Sequence, residues 1–384
     1  MLTKNIFFKN FKNPKNYNSI SNFFISILKE ENAIIQSLKP NYLNSFKKKQ
    51  LSKYKKFLNY RIIGMGGSSL GAQAIFEFLK NKIKKNFIFV NNLETNKNKN
   101  NNNKFLNLVI SKSGNTIETI VNSNILIKKK DTNIFITENK KNFLNSLAKK
   151  LKSEVMHHNN YIGGRYSVLS EVGMLPAELM GLKVEKFKQL NNLVKNKNFV
   201  NSLISNVSTT FFFLKKKKYN SIIINYDQNS KNLLSWYQQL VAESLGKKNK
   251  GILPIISNMP KDNHSVMQLY LDGFKNNFFT FFYSKNLKSD KINNDLILPS
   301  HNYLKNKSID EILFAQKNAT EKVFLKRNIP FRSFEIKERN EETLGELFCF
   351  FILETILLAK VLKINPYDQP SVELIKQETK KNLI

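Results

Sequence analysis

Three hydroxyl residues, Ser111, Ser113 and Thr116, fall within six positions of "VISKSGNTIETI", where an apolar run gives way to helical spacing. Hydroxyls at a turn that opens a helix can share the oxygens of one phosphate with the unpaired amides of that helix. Each hydrogen bond to a charged partner contributes about 1.5 to 3 kcal/mol. Taken singly, the same residues are ordinary helix caps. The stretch "IIGMGGSSLGAQAIFEFL", from Ile62 to Leu79, repeats the arrangement with glycine, since Gly64, Gly66, Gly67 and Gly71 surround Ser68 and Ser69. Glycine lets a backbone approach a ligand closely. The following strand, "FIFVNNLET", has no acidic residue at the distance a dinucleotide fingerprint needs, and no Lys-Ser/Thr pair ends the loop as in a P-loop. A packing turn and one wall of an anion site both remain open.

Proton transfer has its own candidates. Glu243 lies in "SWYQQLVAESLGK", four residues after Gln239, so the two share a helical face or sit side by side. A carboxylate so placed suits general acid and base catalysis, worth ~10² to 10⁴ in rate. The plain alternative is a surface Glu near a helix end. Arg165 follows two glycines in "GGRYS", where a tightly bent backbone can turn a guanidinium inward, toward developing negative charge or toward a carboxylate. His264 in "DNHSVMQL" can work as acid or base near neutral pH, although a lone His is more often structural. His157, His158 and His301 lack any such context and read as ordinary residues. Lys376 stands seven residues after Gln369 in "DQPSVELIK", which brings both to one face of a helix that Pro370 is suited to begin.

These residues need rigid elements behind them. Residues 1 to about 58 read as helices and loops. An alternation then begins: "YRIIGM", "NFIFVNN", "FLNLVIS" and "TNIFITE" as strands, with helices at "SLGAQAIFEFLKN", "TIETIVNSNILIKK" and "KNFLNSLAKKLK". It pauses at "YIGGRYSVLSEVGMLPAELMGL". It resumes with the strands "YNSIIINY", "NNFFTFFYS" and "FRSFEIK" and the helices "LLSWYQQLVAESLG" and "SIDEILFAQKNATEKVFLKR", then a long apolar helix and a short terminal one. Short apolar runs alternating with amphipathic helices predict an α/β fold with parallel sheets covered by helices on both faces. The boundary between two such units falls near residue 190. The Asn-rich stretch 96–104 reads as a solvated connection.

Composition narrows the class. A chain of 384 residues with 41% hydrophobic content can fill two cores. The single cysteine, Cys349, offers neither a disulfide framework nor a cysteine-rich metal site, and a reducing, cytoplasmic setting fits it. Its apolar neighbourhood, "LFCFFILETILLAKVL", is interrupted by Glu354 and Lys360 and falls short of ~20 uninterrupted apolar residues, so it predicts a buried helix and no membrane span. The N-terminus lacks the apolar core and cleavage site of a secretory signal. A net charge of +33 raises the question of nucleic acid, but the lysines are scattered beside asparagines along the whole chain and no nucleic-acid motif stands out. Compositional drift on tolerant surface positions explains the excess, with faster capture of an anionic substrate as a secondary benefit.

Six blocks, "GMGGSSLGAQ", "SKSGNTIET", "GGRYSVLSEVGMLP", "QQLVAESLGK", "NHSVMQL" and "NPYDQPSVELIK", resemble in order the motifs of the glucose-6-phosphate isomerase family, over roughly residues 55 to 380. The resemblance implies two sugar-isomerase (SIS) domains, each a parallel sheet flanked by helices: 55–190 as the first, binding the sugar phosphate, and 191–384 as the second with a C-terminal helix, after a helical segment 1–54. It implies interconversion of glucose 6-phosphate and fructose 6-phosphate through an enediolate, with neither metal nor nucleotide cofactor. By the same resemblance Glu243 is the base, Arg165 steadies the enediolate, and His264 and Lys376 serve ring opening, His264 entering from the second subunit of a homodimer. Gly67, Ser68, Ser111, Lys112, Ser113, Thr116, Gln239 and Gln369 would contact the substrate. Asn115 stands where many relatives have Thr, which would remove one hydroxyl from the phosphate site. Alternatives are a SIS-domain regulator that senses sugar phosphates without turnover, and an isomerase that also accepts mannose 6-phosphate.

Overall fold

The computed structural model describes the chain except for Asn13, Asn16, residues 95–103 and Leu287. The Asn-rich stretch 96–104, apart from Lys104, therefore lies outside the described residues. Strand β1 (Ile6–Lys9) and helix α1 (Asn18–Lys29) open the chain. A first sheet follows, built from β2 (Asn59–Ile63), β3 (Asn86–Val90), β4 (Phe105–Ile110), β5 (Thr132–Glu138) and β6 (Glu154–His158). Its helices are α2 (Leu70–Phe78), α3 (Ile117–Leu126), α4 (Phe143–Lys150) and α5 (Glu171–Leu179). After α6 (Lys197–Lys215) the second half holds β7 (Asn220–Asn225), α7 (Lys231–Leu245), β8 (Leu253–Asn258), α8 (Met267–Asp272), β9 (Asn277–Ser284), α9 (Ile309–Lys326), β10 (Phe331–Ile336), α10 (Glu341–Leu362) and α11 (Pro370–Asn382).

The first sheet runs β3-β2-β4-β5-β6, parallel throughout, and the second runs β1-β10-β9-β7-β8, parallel except at β1. Every residue of β4 is buried, as a strand covered on both faces requires. Its one polar residue, Asn107, donates to Asn133 on β5 at 2.9 Å. The boundary we propose near residue 190 lies between the last strand of the first sheet and β7.

One part of the expected organisation is corrected. Residues 1–54 are not solely helices and loops, because Ile6–Lys9 pairs antiparallel with β10, Ile6 opposite Ile336, and extends the second sheet. The strands β6 and β8 were also absent from the expected set. Both end their sheets, and edge strands mix polar with apolar residues because one side meets solvent. Strand β8 moreover contains Pro254, which a sheet tolerates at an edge.

The long apolar helix α10 is buried along most of its length, as expected, and among the described residues no helix is long and apolar enough to cross a membrane. Cys349 on it is fully buried, and burial pushes its thiol up to about 12. Glu354, on the same helix, is paired with the buried Arg332 of β10, and Asn206 and the Tyr237 hydroxyl donate to its two oxygens at 2.6 and 3.1 Å. That network ties α6, α7 and α10 to the second sheet. A continuous apolar core runs through both halves, and α2 of the first packs on α7 of the second. The cleft described next lies where those halves meet.

Candidate active site

A cleft of about 380 Å³ is lined by loops from both halves. Ten expected site residues reach it: Gly67, Ser68, Lys112, Ser113, Thr116, Arg165, Gln239, Glu243, Gln369 and Lys376. The glycine loop after β2 forms one wall. Gly66 has φ +52°, and a Cβ there would stand 2.8 Å from Gln239 Nε2. A Cβ on Gly67 would fall 2.1 Å from the carbonyl carbon of Gly164, so only glycine allows this loop to lie against the turn that carries Arg165. The Ser68 hydroxyl lines the cleft and bonds to none of the described residues. If it holds a phosphate oxygen, Ser68→Ala raises KM with little change in kcat, by roughly ten- to a hundredfold for a lost bond to a charged group. Steady-state kinetics decides, and an unaltered KM removes Ser68 from the site.

The second wall is the turn after β4. Thr116 precedes α3, which has no side-chain cap, so the first amides of that helix stay available beside the cleft. Ser111 lies behind this wall: its hydroxyl is 2.9 Å from that of Thr116 and does not line the cleft. Its place is to orient Thr116. Asn115 faces away, accepting a hydrogen bond from the Phe143 amide at the start of α4 at 3.0 Å.

Arg165 is almost fully buried and uses its whole guanidinium within the protein. Nε donates to Ser244 Oγ at 2.8 Å, Nη1 to Glu243 Oε2 at 3.2 Å and Gln369 Oε1 at 2.7 Å, and Nη2 to the carbonyls of Pro366 at 2.6 Å and Asp368 at 2.9 Å. Both readings of this Arg thus hold together: it faces the cleft and it pairs with a carboxylate. The beginning of α7 fastens the same turn, as Trp236 Nε1 donates to the Arg165 carbonyl at 3.1 Å. Tyr166, whose phenol burial pushes up to about 12, remains a neutral hydroxyl against Ser244.

Glu243 stands between two donors, Arg165 on Oε2 and Gln239 Nε2 on Oε1 at 2.8 Å, while its side chain keeps 30% exposure to the cleft. The four-residue spacing to Gln239 works as expected. Gln369 directly precedes α11, which Pro370 begins, and Lys376 lies farther along that helix with its ammonium 2.6 Å from Glu373.

His264 is the exception. It sits exposed in a short turn after β8 and does not line the cleft of its own chain. Sequence reasoning also missed two acids of the cleft, Glu138 and Glu373. Glu138 ends β5, and the carboxyl ends of parallel strands border the ligand crevice in such sheets, which was the available signal. It is paired with Lys112 at 3.4 Å and Lys140 at 3.3 Å. Each cation of the cleft thereby has a carboxylate partner, Lys112 with Glu138, Arg165 with Glu243 and Lys376 with Glu373.

Two mainly parallel α/β units enclose one polar cleft, with hydroxyl-lined turns on the first and a carboxylate on the second, which makes the chain an α/β protein of two helix-flanked sheets with its site between them. In the solved structures the same architecture appears in a hypothetical protein from Thermus thermophilus, with a TM-score of 0.82 at 21% identity over 95% of this chain and 94% of that one. A glucose-6-phosphate isomerase from Chlamydia trachomatis shares it with a TM-score of 0.69 at 19% identity, over 88% of this chain and 72% of that one. In sequence, the glucose-6-phosphate isomerase of Methanocaldococcus jannaschii is 32% identical over 350 residues, 84% of each chain. The phosphoglucose isomerase family model matches residues 46–257, and the chain belongs to that family.

Proposed function

We infer that this chain is a glucose-6-phosphate isomerase, an aldose-ketose isomerase that interconverts glucose 6-phosphate and fructose 6-phosphate in the cytoplasm. The observation that carries the reading is Glu243, held by Arg165 and Gln239 and facing the hydroxyl-lined turns across one cleft. A phosphate on Ser68, Ser113, Thr116 and the amides of α3 anchors the far end of the sugar. Glu243 then moves a proton between C2 and C1, and the Arg165 charge stabilises the enediolate between those steps. Because every N–H of Arg165 is already engaged, its contribution is a fixed charge at short range more than a free donor. Gln239 Oε1 is buried and has no hydrogen-bond partner among the described residues, which supports a role in accepting a substrate hydroxyl. Lys376 and Gln369 flank the ring-opening end.

The test is conversion of fructose 6-phosphate to glucose 6-phosphate by the purified protein, with Glu243→Gln as control. Formation of glucose 6-phosphate that collapses in the control supports the reading. Binding without turnover by the wild type favours the sugar-phosphate sensor instead.

The working unit we propose is a homodimer in which His264 of one subunit completes the cleft of the other. The exposure of His264 away from its own cleft supports this arrangement. Mixing and refolding Glu243→Gln with His264→Ala chains should restore about a quarter of wild-type activity, because half the dimers are mixed and each has one intact site. No recovery in the mixture, or a fully active monomer in sedimentation, rules the shared site out.

A further inference from the structure

His158 ends β6 outside the cleft, and it is 3% exposed. Its Nε2 lies 2.9 Å from the carbonyl oxygen of Ile162, and its Nδ1 lies 2.7 Å from Glu171 Oε1. A backbone carbonyl only accepts, so Nε2 carries a proton. Glu171 is the first residue of α5, where the helix dipole favours a negative charge. Its Oε1 also accepts from the Asn159 amide at 2.7 Å, and its Oε2 accepts from the Tyr42 hydroxyl at 3.1 Å. Burial works against this carboxylate, but hydrogen bonds from the His158 ring and from backbone amides outweigh it and hold its pKa below the usual range. Both oxygens of Glu171 already serve as acceptors at a helix start, so the Nδ1 that meets Oε1 at 2.7 Å is placed to donate as well.

The other charged or titratable groups facing this pair do not replace that proton. Tyr42 is driven upward, mainly by burial and then by Glu171, and stays neutral. Lys188 donates to the Ser37 carbonyl at 2.6 Å and to that of Leu169, and burial lowers it to about 7. Cys349 beside it is a neutral thiol.

What the pair holds is the connection to Arg165. Residues 159–164 leave β6 and deliver Gly163, Gly164 and Arg165 to the cleft, and Ile162 is the last residue before those glycines. The turn is closed by Ile162 N on the Asn159 carbonyl at 3.2 Å and by Tyr161 N on Asn159 Oδ1 at 2.9 Å. We propose that His158 is kept as a doubly protonated imidazolium that bridges Ile162 to Glu171 and so acts as a positioning residue for the Arg165 turn. It touches neither substrate nor reacting atoms. Its effect on turnover rests on the isomerase reading, whereas its protonation does not.

The chain has four histidines. Uniform 15N labelling and long-range proton-nitrogen NMR of the wild-type protein at pH 7 therefore give four ring signals, which single replacements of the exposed His157, His264 and His301 assign by elimination. Both ring nitrogens of the remaining signal are expected to be protonated, and a neutral tautomer there overturns the proposal even if the protein proves to have no isomerase activity. In turnover of fructose 6-phosphate, His158→Gln and Glu171→Gln should each lower kcat about tenfold or more, as a displaced catalytic turn does. KM should change less than about twofold, since the hydroxyl-lined turns lie on other loops. A folded variant of either kind that retains wild-type kcat overturns the positioning role.

Discussion

Replacing Glu243 by Gln lowers kcat by about 10² to 10⁴ and leaves the KM for fructose 6-phosphate within a few-fold. The expected size follows from the geometry. Glu243 is the one carboxylate of the cleft held by a fully engaged guanidinium and by the side-chain amide of Gln239, so its oxygens are fixed at the cleft wall, as the proposed base requires. The amide replacement keeps the shape and abolishes the base. It also sets an NH2 group against either Arg165 or Gln239, both of which donate, so a modest loss of thermal stability should accompany it. Turnover in D2O separates the two effects: wild-type enzyme should wash deuterium into C2 of glucose 6-phosphate, and the variant should not. A Glu243→Gln enzyme that still exchanges that proton at the wild-type rate would remove Glu243 as the base.

Arg165→Lys should be nearly as severe and differ in kind. Because every N–H of Arg165 is engaged within the protein, the loss comes from displacing its charge and Glu243, and a misplacement of about 1 Å in a catalytic group costs about 10² in kcat. Lysine retains the charge but cannot present five directed donors in a plane. Here those donors hold Glu243, Ser244, Gln369 and the carbonyls of Pro366 and Asp368. The variant therefore loses order on two elements at once: α7, which carries Ser244 and Glu243, and the turn before α11. Breaking a buried ion pair by removing a partner costs about 3 to 5 kcal/mol in stability, and retention of charge by lysine should limit the loss to the lower part of that range. Calorimetry and steady-state kinetics on the same sample are the check. A kcat within threefold of wild type, with an unchanged melting temperature, would show that the guanidinium network matters little.

Both effects reach through residues that local sequence patterns describe unequally. The glycine loop was legible because its glycines answer a local need, and Gly67 meets that need by lying against Gly164. The spacing of Gln239 and Glu243 was legible because a helix places residues four apart on one side, and the two hydrogen-bond as that predicts. The buried helix α10 was legible from its unbroken apolar run. Ser111 shows the limit of such reading: residue type and spacing pointed to the ligand, yet its hydroxyl supports Thr116 from behind. His158 was set aside as ordinary because its partners, Ile162 and Glu171, become meaningful only once β6 and α5 converge.

The sequence by itself determined the alternation of strand and helix, the glycine and hydroxyl turns, and the helix face that carries Gln239 and Glu243. All of these follow from backbone propensity and periodicity over a few residues. The tertiary structure alone decided that Ile6–Lys9 joins a strand more than 300 residues away, that Glu138 and Glu373 enter the cleft, and that Arg165 meets Glu243, 78 residues on. Such pairings depend on where whole elements pack. A side chain's partner across the fold is set by the burial of distant apolar faces, and no local pattern in the chain records it.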